Sequence, residues 1–126
     1  METNKKIRPQ LPSSITKGLH TGEERFQNEV LRPIVKMQSD LLLLHVSFRL
    51  TSMKVDFNKL DFLKQKSTLR FLFRKDQQFK REVIGMILGY FTVEEYKFYE
   101  KMHREINKRI VQIVENRCVD LMVKKG

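Results

Sequence analysis

Apolar residues recur at three- and four-residue intervals over most of this chain, the spacing that lines one face of an α-helix. Thr21-Gly-Glu-Glu24 has the form of a capping box. From there to about Ser52, Phe26, Val30, Ile34, Met37, Leu41, Leu44 and Phe48 form one apolar stripe, and Leu31, Val35, Leu42 and Val46 a second, weaker one. The pattern predicts a helix over about 23–52 with neighbours on two sides. Pro33 lies inside it, has no N–H for the carbonyl of Glu29, and predicts a kink. After a connector at 54–58, Asn58 or Asp61 can cap a shorter helix over about 61–74, with Phe62, Leu69, Leu72 and Phe73 on one face.

Asp76 can cap a third helix over about 77–90. Phe79, Val83, Met86, Ile87 and Tyr90 share a face there, and Ile84, Leu88 and Phe91 nearly close the circle, so this helix reads as the most central. Gly85 and Gly89 stand four apart on one side of it. In an exposed helix each costs ~1 kcal/mol relative to Ala, so the pair predicts a close backbone approach. Thr92-Val-Glu-Glu95 is a second capping box and opens a long helix over about 93–122, with a seam of Tyr96, Tyr99, Met102, Ile106, Ile110 and Ile113.

No alternating strand pattern or Asn-Gly hairpin signal is present in the sequence. The expected fold is all-α: a four-helix bundle with two long outer helices and a loose N-terminal arm. Pro9, Pro12, Gly18 and Gly22 make residues 1–22 an extended or disordered arm. Its Ile7, Leu11, Ile15 and Leu19 are spaced to lie along a groove of the body. Residues 23–126 form a single helical domain, which suits a chain of 126 residues.

Composition narrows the function more than it defines it. One Cys excludes an internal disulfide and a Cys-based zinc site and fits a reducing compartment. No apolar run follows Lys5, Lys6 and Arg8, so the start does not read as a secretory signal. The longest apolar stretch, Val83 to Phe91, is far short of the ~20 residues a membrane helix needs. The expectation is a cytoplasmic protein with no membrane partner.

The formal net charge is +10, unevenly spread. Lys59, Lys64, Lys66, Arg70, Arg74, Lys75, Lys80 and Arg81 stand against only Asp61 and Asp76, so residues 59–81 carry six of those charges. On helix 61–74, Lys64, Arg70 and Arg74 lie opposite the apolar stripe and Phe71 points the same way. Cations around an aromatic ring suit nucleic acid, where bases stack and phosphates meet the cations. The candidates are Lys64, Lys66, Arg70, Phe71, Arg74 and Lys75, with Lys5, Lys6 and Arg8 assisting. The plainer alternative, which weighs more at this stage, is a solvated basic face with Phe71 buried against another helix.

Catalytic constellations are fragmentary. Glu100-Lys-Met-His103 has the E-x-x-H spacing of a carboxylate-bridged di-iron ligand pair, but a second such pair and two further inward Glu are missing. Helix 77–90, its turn and the next helix have the order of a helix-turn-helix, yet Glu95 takes a core position and Glu94, Glu95 and Glu100 would repel phosphate. Cys118 stands ~22 Å by helical rise from His103. Asp40 and His45 are five apart and poorly placed to cooperate. No phosphate loop, G-x-S-x-G or paired-carboxylate signature is present. The sequence therefore assigns no catalytic residue, no metal and no cofactor, and an enzyme is not expected.

Phe26-Gln-Asn-Glu-Val-Leu-Arg-Pro-Ile34 with Lys36-Met-Gln38, Ile87-Leu-Gly-Tyr-Phe-Thr-Val-Glu-Glu-Tyr96, Glu105-Ile-Asn-Lys-Arg-Ile110 and the lead-in Ile7-Arg-Pro-Gln-Leu-Pro12 go together. On these stretches the chain resembles a group of short uncharacterised helical proteins from Bacteroidetes. The resemblance implies a helical fold and brings no activity with it. Some members carry a glyoxalase label. Metal glyoxalases use His/Glu ligand sets on strands or a dense His-x-His-x-Asp-His cluster, which three scattered His do not supply.

The leading expectation is a non-enzymatic interaction module, acting on a protein partner or as a homo-oligomer. Its candidate contacts are Leu31, Val35, Leu42 and Val46 with Phe71, because two long helices carry more apolar surface than a small body buries. Nucleic-acid binding through 59–81 is the alternative.

Overall fold

The computed structural model describes residues 22–124, and the described residues are helical apart from short turns. The fold is all-α. The first tract runs through α1 (Gly22–Phe26), a π-helical turn (Gln27–Leu31), α2 (Arg32–Met37) and α3 (Ser39–Ser52). A 3-10 turn, Phe57–Lys59, leads to α4 (Phe62–Lys75), followed by α5 (Gln77–Leu88), α6 (Val93–Lys101) and α7 (His103–Met122). The expected arm at 1–22, apart from Gly22, and the Thr21 side of the first capping box lie outside the described residues.

The irregularity expected at Pro33 takes a specific form. One turn earlier the chain enters the π register, and the Arg32 N–H reaches the carbonyl of Gln27, five residues back. Pro33 then sits in the first turn of α2, directly after the π turn. The other predicted caps form. Asp61 accepts from the Lys64 N–H at 2.9 Å, Asp76 from the Phe79 N–H at 3.0 Å, and Thr92 and Glu95 close their reciprocal box at 2.8 and 3.1 Å. α3 ends in a Schellman motif: the N–H groups of Lys54 and Val55 reach the carbonyls of Thr51 and Leu50, each at 2.9 Å. Lys54 takes the left-handed position there, with φ 61°.

α7 packs against α2, α3, α4, α5 and α6, so it, and not the helix over 77–90, is the centre of the fold. Its core row is Ile106, Ile110, Val114 and Cys118. Around it lie Leu42, Val46 and Leu50 of α3, Leu69, Leu72 and Phe73 of α4, and Phe79, Val83 and Ile87 of α5. Phe26, Phe91, Phe98 and Tyr99 close one end, with Phe26 stacked on Phe98 at 4.9 Å and edge-on to Phe91 at 5.4 Å.

Three sequence expectations are corrected. The long helix over 93–122 breaks at Met102, whose backbone leaves the helical region at φ −134°, ψ 33°. Gly85 meets nothing within 4 Å of a Cβ placed on it, and Gly89 meets only its own helix's carbonyls, so the expected close approach is absent. Gly85→Ala is therefore expected to raise stability by ~0.5–1 kcal/mol through helix propensity alone, read from the urea midpoint. Finally, the stripe assigned to the core divides. Phe26, Val30 and Ile34 are buried, but Leu41, Leu44 and Phe48 are exposed by 47, 67 and 71 %. The second stripe, Leu31, Val35, Leu42 and Val46, is the one inside.

The cause lies at Gln38 and Ser39. The buried row runs Ile34, Gln38, Leu42, Val46, Leu50 in steps of four, obliquely across the helix surface. Its second member is polar, so apolar spacing alone jumps to Met37 and continues on the wrong face. Ser39 is satisfied inside, donating to the Val35 carbonyl at 3.0 Å and accepting from Arg117 Nε at 3.0 Å. Gln38 Oε1 is buried without a hydrogen-bond partner.

Candidate functional site

The residues chosen from sequence separate into two regions. Leu31, Val35, Leu42 and Val46, offered as contact residues, are core: none is more than 2 % exposed, so no partner reaches them. Among the described residues, the exposed apolar surface of the first tract is the opposite face of α3, carried by Leu41, Leu44 and Phe48. Their 3-4 spacing puts them on one face of the helix. Between Ser39 and Phe48 the only residue of fixed charge is Asp40. On one flank His45 is held at 2.9 Å to Glu82 and stacked on Phe79 at 5.3 Å, and Arg49 is held to Asp76 at 2.6 and 2.8 Å.

The second region is basic. On α4, Lys64, Arg74 and Lys75 are exposed, and Phe71 is 58 % exposed. The burial of Phe71 under another helix, one part of the plainer reading, is thus contradicted, because the ring is exposed on the same helix as these cations. Lys66 and Arg70 lie half-buried on the flank towards α7. There Glu115, 5 % exposed, accepts from Arg70 through Oε2 and faces Arg74 at 3.3 Å. A cleft of about 440 Å³ opens at this point, lined by Arg70, Arg74, Lys80 and Lys108 over Phe73, Ile84 and Val111. Lys5, Lys6 and Arg8 lie outside the described residues.

The groups with catalytic spacing do not converge. Glu100 and His103 fall on opposite sides of the Met102 break, and His103 Nδ1 turns to the Glu100 carbonyl at 3.4 Å. Cys118 is buried at 1 % exposure, and desolvation pushes its thiol up to about 12, so it is held as an inert thiol at neutral pH. Among the described residues no group of three or more His, Cys, Asp or Glu is placed to hold a metal ion. Asp76 is held below the ordinary carboxylate value, first by the Phe79 N–H and then by Arg49, against the opposing pull of desolvation. Its depressed pKa supplies stability above about pH 4 that is lost as pH falls through the folded value. Asp76 is a structural clamp between α3 and α5.

Sequence reasoning missed Gln65, Glu115 and the second basic surface described below. Gln65, 1 % exposed, donates to the Phe57 carbonyl at 3.0 Å and accepts from the Lys124 N–H at 2.8 Å, tying the connector and the C-terminal tract to α4. Nothing in its spacing distinguishes it from a surface glutamine. No helix of the described residues is long and apolar enough to cross a membrane. Comparison with protein-family models, curated proteins and solved structures gives no match to this chain.

Proposed function

We propose that this protein is a homo-associating helical module in which two copies meet along the outward face of α3. One observation carries the reading: Leu41, Leu44 and Phe48 lie exposed on a straight seam opposite the core. Large apolar side chains grouped on a surface mark an interaction site more often than a solvated face. The 3-4 seam of Leu41, Leu44 and Phe48 is self-complementary, since two such stripes interdigitate as in a two-helix coil. A two-fold axis near Leu44 places Leu41 of one copy against Phe48 of the other. Charge supports a second copy as the occupant. In a chain of net charge +10, this face carries no unpaired cation, so two copies approach here without opposing like charges. The reading takes the helical tracts as one four-helix bundle whose outer helix presents the seam.

The test is light scattering on the full chain beside the double variant Leu44→Glu/Phe48→Glu. Both side chains are largely exposed, so the variant is expected to keep its helical circular dichroism and to shift to the monomer. A variant with the same mass distribution as the parent would refute the assignment of the seam.

A second reading, nucleic-acid binding on α4, is favoured by the exposure of Phe71 among Lys64, Arg74 and Lys75. Its signature is affinity that falls steeply with salt as phosphate counterions are released.

A further inference from the structure

The basic surface does not end at α4. A second cleft, of about 500 Å³, opens on the other flank of α7, where Arg32 and Lys36 of α2 face Arg109 and Arg117. Gln112 and Asn116 line both clefts, so they stand on the strip of α7 between them. Among the described residues two carboxylates line the pair of clefts, and Glu23 outside them reaches Arg109 at 3.6 Å. Glu115 is bound by Arg70 and Arg74, and Asp120 lies towards the C-terminal end. Five cations of the neighbouring elements, Arg70, Arg74 and Lys80 on one side and Arg32 and Lys36 on the other, thus flank α7, which itself carries Lys108, Arg109 and Arg117 beside its amide side chains.

That arrangement matches a double helix better than a single strand. One strand offers one line of phosphates and needs one cleft. A duplex groove is bordered by two phosphate lines with base edges between them. A helix is ~10–12 Å across and the major groove of B-form DNA ~12 Å wide, so a helix fits along it. Asn and Gln are the side chains that pair with adenine there. The major groove of A-form RNA is too narrow and deep for the same contact. The partial neutralisation of Arg70 and Arg74 by Glu115 leaves further guanidinium N–H donors for phosphate, since each fork carries five.

We infer that α7 lies along the major groove of double-stranded DNA, with Arg70, Arg74 and Lys80 on one phosphate backbone and Arg32, Lys36 and Arg117 on the other. Gln112 and Asn116 face the base edges. This rests on the nucleic-acid reading of α4 and extends it to a second face and a particular ligand.

The experiment titrates the full chain with a labelled DNA duplex, its single strand and the matching RNA duplex at low and moderate salt. The double variant Arg32→Ala/Lys36→Ala, in the cleft away from α4, is run in parallel. Both side chains are exposed, and unchanged circular dichroism checks the fold. The DNA duplex is expected to bind about tenfold or more tighter than either other ligand. The variant is expected to lose about tenfold on the duplex and to flatten the log–log salt dependence by ~1.8, from two phosphate contacts at ~0.9 each. Single-strand or RNA-duplex binding as tight as the DNA duplex, or a variant that binds like the parent, overturns the inference and leaves the α4 reading standing. No binding to any of the three overturns both.

Discussion

Phe79→Ala is expected to lower stability by about 3–5 kcal/mol, the cost of removing a fully buried aromatic ring. Phe79 is 0 % exposed, stacks on His45 at 5.3 Å and meets Phe73 edge-on at 5.1 Å. It joins α5 to both α3 and α4, and Asp76, which caps α5 through the Phe79 N–H, is tied to Arg49 of α3. Removing the ring therefore opens a cavity and releases one side of the α3–α5 contact together. Urea denaturation reads the change as a lower midpoint with an unchanged slope. A loss below about 1 kcal/mol would show that the α3–α5–α4 junction does not hold the fold as described.

Arg70→Ala is the second large effect, for an electrostatic reason. Glu115 is almost fully buried and its carboxylate depends on Arg70 and Arg74. Deleting Arg70 leaves that charge with one exposed partner. The expected loss is about 2 kcal/mol, less than the 3–5 kcal/mol of a fully buried pair, because Arg74 remains and the pair opens to solvent on one side. Glu115→Gln is the informative control. It removes the charge that burial penalises, while the two arginines turn to water, so its cost is expected to be smaller than that of Arg70→Ala. The opposite order, again from urea midpoints, would mean that the arginines need Glu115 more than it needs them.

The helices were legible in this sequence because their caps are local. Asp61, Asp76 and the Thr92–Glu95 box each satisfy an N–H within three residues, so type and position can be read without the rest of the chain. The orientation of α3 was not legible, because it depends on what α7 presents to it. Arg117 supplies the partner that lets Ser39 enter the core, and no periodicity along 23–52 contains that information. One polar step in an oblique row was enough to turn the interior outward. The basic face showed the same limit. The cations of α4 were visible as a run, whereas those of α2 and α7 are scattered in sequence and gather only when α7 is laid between the neighbouring helices. Phe71 was placed on the correct side of its helix, but its exposure depended on whether any helix covers that side.

The break at Met102 carries a similar lesson. The seam of the last tract, Tyr96, Tyr99, Met102, Ile106 and Ile110, is spaced in threes and fours that one straight helix accommodates, so the interruption was not legible in it. Tyr99 is tied across the break by its hydroxyl to Asn107 at 2.7 Å. The E-x-x-H spacing of Glu100 and His103 loses its meaning at the same point.

The outward seam of α3 is the proposed interface between copies. Light scattering of the unmodified full chain over a dilution series tests it most directly. Pairing along α3 gives a mass near twice that of one chain at high concentration, falling towards one chain on dilution. A single-chain mass across the whole series would contradict it.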